Sequence, residues 1–308
     1  MIKKIIATGV LALLIGLGVT AAMRQNIAST APGLRVAASY YPLYEFAKQV
    51  GGDQVQVTNM TPAGAEPHDF EPSAKALAEA GKASVFIYNG GSLEPWTEKF
   101  RHDYKGVAVA ASNHIDLKIG QPEGETTAHQ GETMRDPHFW LDPVLAQQIV
   151  SSIQAGLSKA DPAHAGDYAR RAAAYNQQLA QLDTDYRSGL TQCAQRTIVV
   201  SHQSMSYVAA RYNISVEAVA GLSPDSEPSA SRLAEISQLV AQKDIHYIFF
   251  ESLVSPRLAD TIARETGTKT LVLDPIEGLT NEAQKAGKNY LSVQRDNLKN
   301  LRLALACQ

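Results

Sequence analysis

The chain has 308 residues, 44% of them hydrophobic and 19% charged, with a formal net charge of −3. That length buries a large core and suffices for two domains of ordinary size. The composition is that of a globular protein, and the absence of a basic balance argues against an electrostatically driven nucleic-acid binder.

The first residues read as a targeting segment. Lys3 and Lys4 form a positive n-region, Ile5 to Val19 an apolar run, and Thr20-Ala21-Ala22 supplies small residues for cleavage. The run is short for a membrane span. Residues 1–22 are therefore expected to be a signal peptide, followed by a linker over 23–33. No cysteine lies near the cleavage region to carry a lipid, so the expectation is a soluble periplasmic protein. In an oxidising compartment Cys193 and Cys307 are free to pair, but two separate buried thiols fit the sequence as well.

Leu34 to Ser39 reads as a buried strand. Pro42 opens a short helix that stops at Gly51-Gly52. Gln54 to Met60 alternates as a second strand, followed by the Pro- and Gly-rich loop Thr61–Pro72. Ser73 caps a helix over Ala74–Ala80, Ser84–Tyr88 is a strand, a helix lies around Trp96–Phe100, and Val107–Ala110 is a strand. Ile119 to Arg135 has no periodicity. It carries Glu123, Glu125, Glu132 and His129 and is expected to be an exposed acidic loop.

Next comes Asp136-Pro137-His138-Phe139-Trp140-Leu141-Asp142-Pro143. Asp142 is the expected N-cap and Pro143 the first helical residue of a helix over Val144–Lys159. Asp161-Pro162 caps a longer helix reaching about Leu190, whose apolar stripe includes Tyr168, Tyr175, Leu179, Leu182 and Tyr186. The second half repeats the alternation. Strands are expected at Thr197–Ser201, Ser215–Ala220, Ile245–Phe250 and Thr270–Leu273, with helices at Ser204–Arg211, Ser229–Gln242, Arg257–Thr266 and Ala283–Leu305. The expected fold is α/β, with two lobes of mostly parallel sheet flanked by helices and joined by one long helix. The lobes span 34–160 and 193–308, and the connecting helix spans 161–192.

Binding residues of open α/β sheets sit beyond the C-terminal ends of strands. His68 follows the second strand, His202 follows Thr197–Ser201, and Asp274 follows Thr270–Leu273. His138 comes from the Asp-Pro stretch. Two candidates belong to each half, so a cleft between lobes can collect all four. Three imidazoles and a carboxylate suit Zn2+, and four protein ligands leave no open position for a catalytic water. Such a set holds a metal instead of using it for hydrolysis. Glu71, Asp136 and Glu251 are candidate acceptors for the outer imidazole nitrogens, and Glu66 is a weaker alternative ligand. His102, His114, His164 and His246 read as surface residues. There is no HExxH, no phosphate-binding glycine loop and no GxSxG elbow near His202.

Several stretches in order resemble the metal-binding substrate-binding proteins of bacterial zinc/manganese ABC importers, most closely their periplasmic zinc branch. They are Pro67-His68-Asp69-Phe70-Glu71-Pro72, Asp136–Pro143, Ser201-His202 with Tyr207, Gly221-Leu222-Ser223-Pro224 with Glu227-Pro228, and Leu273-Asp274-Pro275. The resemblance implies His68, His138, His202 and Asp274 as metal ligands. Histidine at the third position implies zinc over manganese or iron. It also implies a membrane permease as partner, two lobes on a backbone helix with modest motion, and no enzymatic activity. Many zinc-type members carry a histidine-rich loop where this chain has Ile119–Arg135 with His129 alone. The competing readings are an Mn2+ or Fe2+ binding protein of the same fold, a metal-dependent hydrolase, and an adhesin with a structural metal.

Overall fold

The computed structural model describes residues 33–120, 134–225 and 228–308. The expected signal peptide, nearly all of the linker, the acidic stretch with His129, and Glu227 lie outside the described residues.

Strands β1 (Leu34–Ala38), β2 (Val55–Asn59), β3 (Val85–Tyr88) and β4 (Val107–Ala110) form one sheet in the order β2-β1-β3-β4. Strands β5 (Thr197–Val200), β6 (Ser215–Ala218), β7 (Tyr247–Phe250) and β8 (Lys269–Val272) form a second in the order β6-β5-β7-β8. Every strand pair is parallel. The central strands are continuous apolar runs because helices cover both faces of such sheets. Val85, Phe86 and Ile87 of β3 and Ile198, Val199 and Val200 of β5 are all buried. The strand order reverses between β1 and β3, and again between β5 and β7. These are the switch points where loops part and leave a crevice.

The first lobe carries α1 (Tyr41–Gly51), α2 (Ala74–Ala80) and α3 (Trp96–Asp103). Then follow α4 (Pro143–Ala160) and the long α5 (Ala165–Gly189). The second lobe carries α6 (Ser206–Tyr212), α7 (Ala230–Gln242), α8 (Arg257–Thr266), α9 (Asn281–Lys285) and α10 (Tyr290–Ala304). Local chemistry sets the starts. Ser73 accepts a hydrogen bond from the Ala76 amide, Asp142 from those of Val144 and Leu145, and Ser229 from that of Arg232. Each such cap stabilises its helix by about 1 kcal/mol.

Two helices depart from the sequence expectation. The long helix begins at Ala165, after a short 3-10 turn over Pro162–His164. Asp161 does not cap it, because its carboxylate accepts instead from the side chains of His164 (2.7 Å) and Tyr168 (2.8 Å). The C-terminal helix is split into α9 and α10. Gly287 takes a left-handed φ of 71°, which glycine adopts without a Cβ clash. Asn289 and Ser292 then form a capping box that restarts the helix.

The core is continuous across the lobes. The buried stripe of α5, Tyr168, Ala172, Tyr175, Leu179, Leu182 and Tyr186, joins a single cluster that runs from Val36 and Phe46 to Ile198, Tyr290 and Leu301. Phe46 of α1 packs edge-on to Tyr290 of α10, with centroids 4.8 Å apart. A shared, close-packed interior opposes wide hinge opening. Cys193 and Cys307 are disulfide-bonded and tie the C-terminus to the segment after α5.

Candidate metal centre

The post-strand loops converge between the lobes. His68 stands in the loop after β2, and its backbone amide donates to Glu66 Oε2 at 3.0 Å. His138 precedes the 3-10 turn Phe139–Leu141, whose three residues are buried. That turn is bolted to the second lobe. Trp140 Nε1 donates to the Pro275 carbonyl (2.9 Å), Gln294 Nε2 donates to the Leu141 carbonyl (3.0 Å), and the Tyr290 hydroxyl donates to the Trp140 carbonyl. Asn89, at the end of β3, donates to the Pro137 carbonyl at 3.1 Å. Tyr207 of α6 donates its hydroxyl to the Asp136 carbonyl at 2.8 Å. His138 is thus fixed by both lobes. His202 lies just past β5, and Glu277 sits in the loop after β8.

His68, His138, His202 and Glu277 bring one ligand atom each into a single group. His68 Nε2 is 3.3 Å from His138 Nε2 and 3.3 Å from Glu277 Oε1. His138 Nε2 is 3.2 Å from His202 Nε2 and 3.2 Å from Glu277 Oε1. His202 Nε2 is 3.4 Å from Glu277 Oε1. A tetrahedral ion with ligands at about 2.0–2.1 Å holds them about 3.3 Å apart. Five edges of the group already have that length.

The outer nitrogens decide what the inner ones offer. His138 Nδ1 lies 2.8 Å from Asp136 Oδ1, and His202 Nδ1 lies 2.6 Å from Glu251 Oε1. A carboxylate only accepts, so Nδ1 carries the proton and Nε2 of the neutral ring turns a lone pair inward. Lone pairs and one carboxylate oxygen then face one another in a site that water barely reaches. His138 and His202 are 0% exposed and Glu277 is 1% exposed. That arrangement is repulsive unless a proton or a metal cation sits among them.

The electrostatics differ from ring to ring. Burial pushes the His202 imidazole down, but Glu251 and Glu277 outweigh it and hold it well above its ordinary value. His138 is also raised, with Asp136 and Glu277 overcoming burial. Burial pushes Glu277 up, yet the three imidazoles bring its carboxyl well below the usual range. His68 is lowered, chiefly by burial. Glu66 is pushed up to about 8, by burial first and then by Glu277. At His138 and His202 the neighbouring carboxylates therefore favour positive charge. Its mouth is a cavity of about 170 Å³ beside His68, lined by Asp69, Met134, Leu222 and Ser223 among others.

Residues 36–304 match the family described as zinc-uptake complex component A, periplasmic (ZnuA). The chain belongs to this family. Among its ZnuA-family relatives, the zinc-binding lipoprotein AdcA of Streptococcus pneumoniae is 42% identical over 276 residues, covering 87% of this chain and 55% of its own length. The chain spans about half the length of that protein. The high-affinity zinc uptake system protein ZnuA of Bacillus subtilis is 36% identical over 279 residues, covering 88% of each chain. The crystal structure of the Zn(II)-bound ZnuA-like domain of Streptococcus pneumoniae AdcA superposes with a TM-score of 0.76 at 40% identity, covering 89% of this chain and 99% of that one. The two parallel-sheet lobes and the long helix are the ZnuA-like fold.

Of the four residues named from sequence, the structure brings His68, His138 and His202 together. It does not bring Asp274 into the group. Asp274 Oδ1 turns back to accept from the Ile276 amide at 2.7 Å, and Glu277 occupies the fourth corner. Glu277 was missed because Asp274 lies closer to the strand end. A signal was present in the sequence, since Glu277 is a lone carboxylate among Ile276, Gly278 and Leu279 in the same loop. Asp136 and Glu251 do bond imidazoles, whereas Glu71 is exposed. Glu66, Asp69 and Asp225 form a separate acidic group at the cleft mouth. His102, His114 and His246 are exposed.

Proposed function

We propose that the chain is an extracytoplasmic solute-binding protein that captures Zn2+ between its lobes and delivers it to an ABC-type permease. The ligands are His68, His138, His202 and Glu277, and the ion is cargo. The observation that carries the reading is the inward convergence of imidazole lone pairs and a carboxylate oxygen at tetrahedral spacing. All four positions come from protein atoms, which leaves none for a catalytic water and favours a binding protein over a hydrolase. Mn2+ prefers more oxygen ligands and wider coordination, so a three-imidazole set favours zinc. The zinc-binding relatives support the same ion. We further propose that the protein works as a monomer in the periplasm after removal of residues 1–22.

Calorimetry on metal-stripped protein tests this. One zinc per chain is expected, with a loss of more than about 100-fold in His138→Ala or His202→Ala, beyond the 10–100-fold typical of residues behind the ligands. Wild-type affinity in both variants refutes the site, and equal affinity for Mn2+ and Zn2+ refutes the selectivity.

A further inference from the structure

We infer that Asp274 is a positioning residue that aims Glu277 at the ion by locking the residue between them into a left-handed turn. The inference rests on the reading of Glu277 as a zinc ligand.

Ile276 has φ 56° and is 0% exposed. A β-branched residue disfavours that region because its Cβ substituents crowd the backbone. It stays there only where its surroundings over-determine it. Here they do. Asp274 Oδ1 accepts from the Ile276 amide at 2.7 Å, closing the turn through a side chain. Asp274 is itself gripped at both backbone groups by Asn297 of α10. Its amide donates to Asn297 Oδ1 at 2.9 Å, and its carbonyl accepts from Asn297 Nδ2 at 2.7 Å. The next carbonyl, that of Pro275, accepts from Trp140 of the other lobe. The chain from Asp274 to Glu277 is therefore pinned at successive residues while wholly buried. The left-handed step at Ile276 turns the following side chain toward the three imidazoles. If Ile276 relaxed to ordinary φ, Glu277 would leave the tetrahedron.

This assigns Asp274 a role other than ligation, and the two roles respond differently to one isosteric change. Asparagine keeps an Oδ1 acceptor for the Ile276 amide but loses the negative charge a ligand would use. In chelator-competition titrations, Asp274→Asn is expected to hold Zn2+ within about threefold of wild type. Asp274→Ala is expected to lose about 10–100-fold, as for other residues that orient ligands, and to release zinc faster. The visible absorption of bound Co2+ reports ligand geometry. It should match wild type in the asparagine variant and weaken in the alanine variant. A tenfold loss in Asp274→Asn overturns the proposal, as does full affinity in Asp274→Ala. Should the alanine variant fail to fold, the asparagine result decides alone. Failure of the parent reading is distinguishable, because zinc would then bind equally to wild type and Glu277→Gln.

Discussion

Glu94 offers a sharp test of how burial acts on a carboxylate of the first lobe. It is 3% exposed, in the segment just before α3. Oε1 accepts from the Asn89 amide at 3.2 Å and from the Ser39 hydroxyl, while Oε2 has no partner among the described residues. Burial pushes its carboxyl up to about 7, against the hydrogen bonds from Ser39 and Asn89. In the unfolded chain it titrates near the ordinary value of about 4.3. Between those two pH values the unfolded chain releases a proton that the folded protein retains, so stability falls as pH rises from about 4 to about 7. With 1.36 kcal/mol per unit, the loss at pH 8 is about 4 kcal/mol. Glu94→Gln has the shape of the protonated acid without the titration. Urea denaturation should find it about 4 kcal/mol more stable than wild type at pH 8 and less than about 1 kcal/mol apart at pH 4.5. The same difference at both pH values, or no gain at pH 8, refutes the reasoning.

Zinc binding should weaken in acid, because protons and zinc compete for the same imidazole nitrogens. Since carboxylates raise His138 and His202 above the ordinary imidazole value, affinity measured by competition should keep rising past the pH at which a free imidazole has lost its proton. Trp140→Phe removes the donor to the buried Pro275 carbonyl. It should cost about 1–3 kcal/mol of stability and weaken zinc binding, read by thermal melting and titration of the same samples. Reducing the Cys193–Cys307 disulfide frees a loop with a sequence separation of 114. The chain-entropy estimate is about 5 kcal/mol, and denaturation with and without reductant should show most of it.

Much of the fold was legible in the chain. Strand-length apolar runs alternating with capped amphipathic segments require parallel sheets with helices on their faces. Ser73, Asp142 and Ser229 mark helix starts because their side chains satisfy amides only a few positions away. The three clustered histidines stood out for a related reason, since His68 and His202 lie in loops after strands and His138 directly precedes a short rigid turn. The break between α9 and α10 was written at Gly287 and Asn289 but was overridden by the apolar periodicity on either side. Asp161 looked like a cap, but its carboxylate goes to His164 and Tyr168 instead.

The fourth member of the cluster was decided only in three dimensions. Asp274 and Glu277 are both carboxylates in one loop, and no local rule ranks them. The choice depends on Asn297 gripping Asp274 from a helix 23 residues away and on Trp140 reaching Pro275 across 135 residues. It depends also on a left-handed isoleucine that only a packed interior can hold. Sequence by itself determined the strands, the caps and the imidazoles, because these rest on contacts between near neighbours. Tertiary structure decided which carboxylate faces the cleft, because that direction is imposed by residues far apart in the chain.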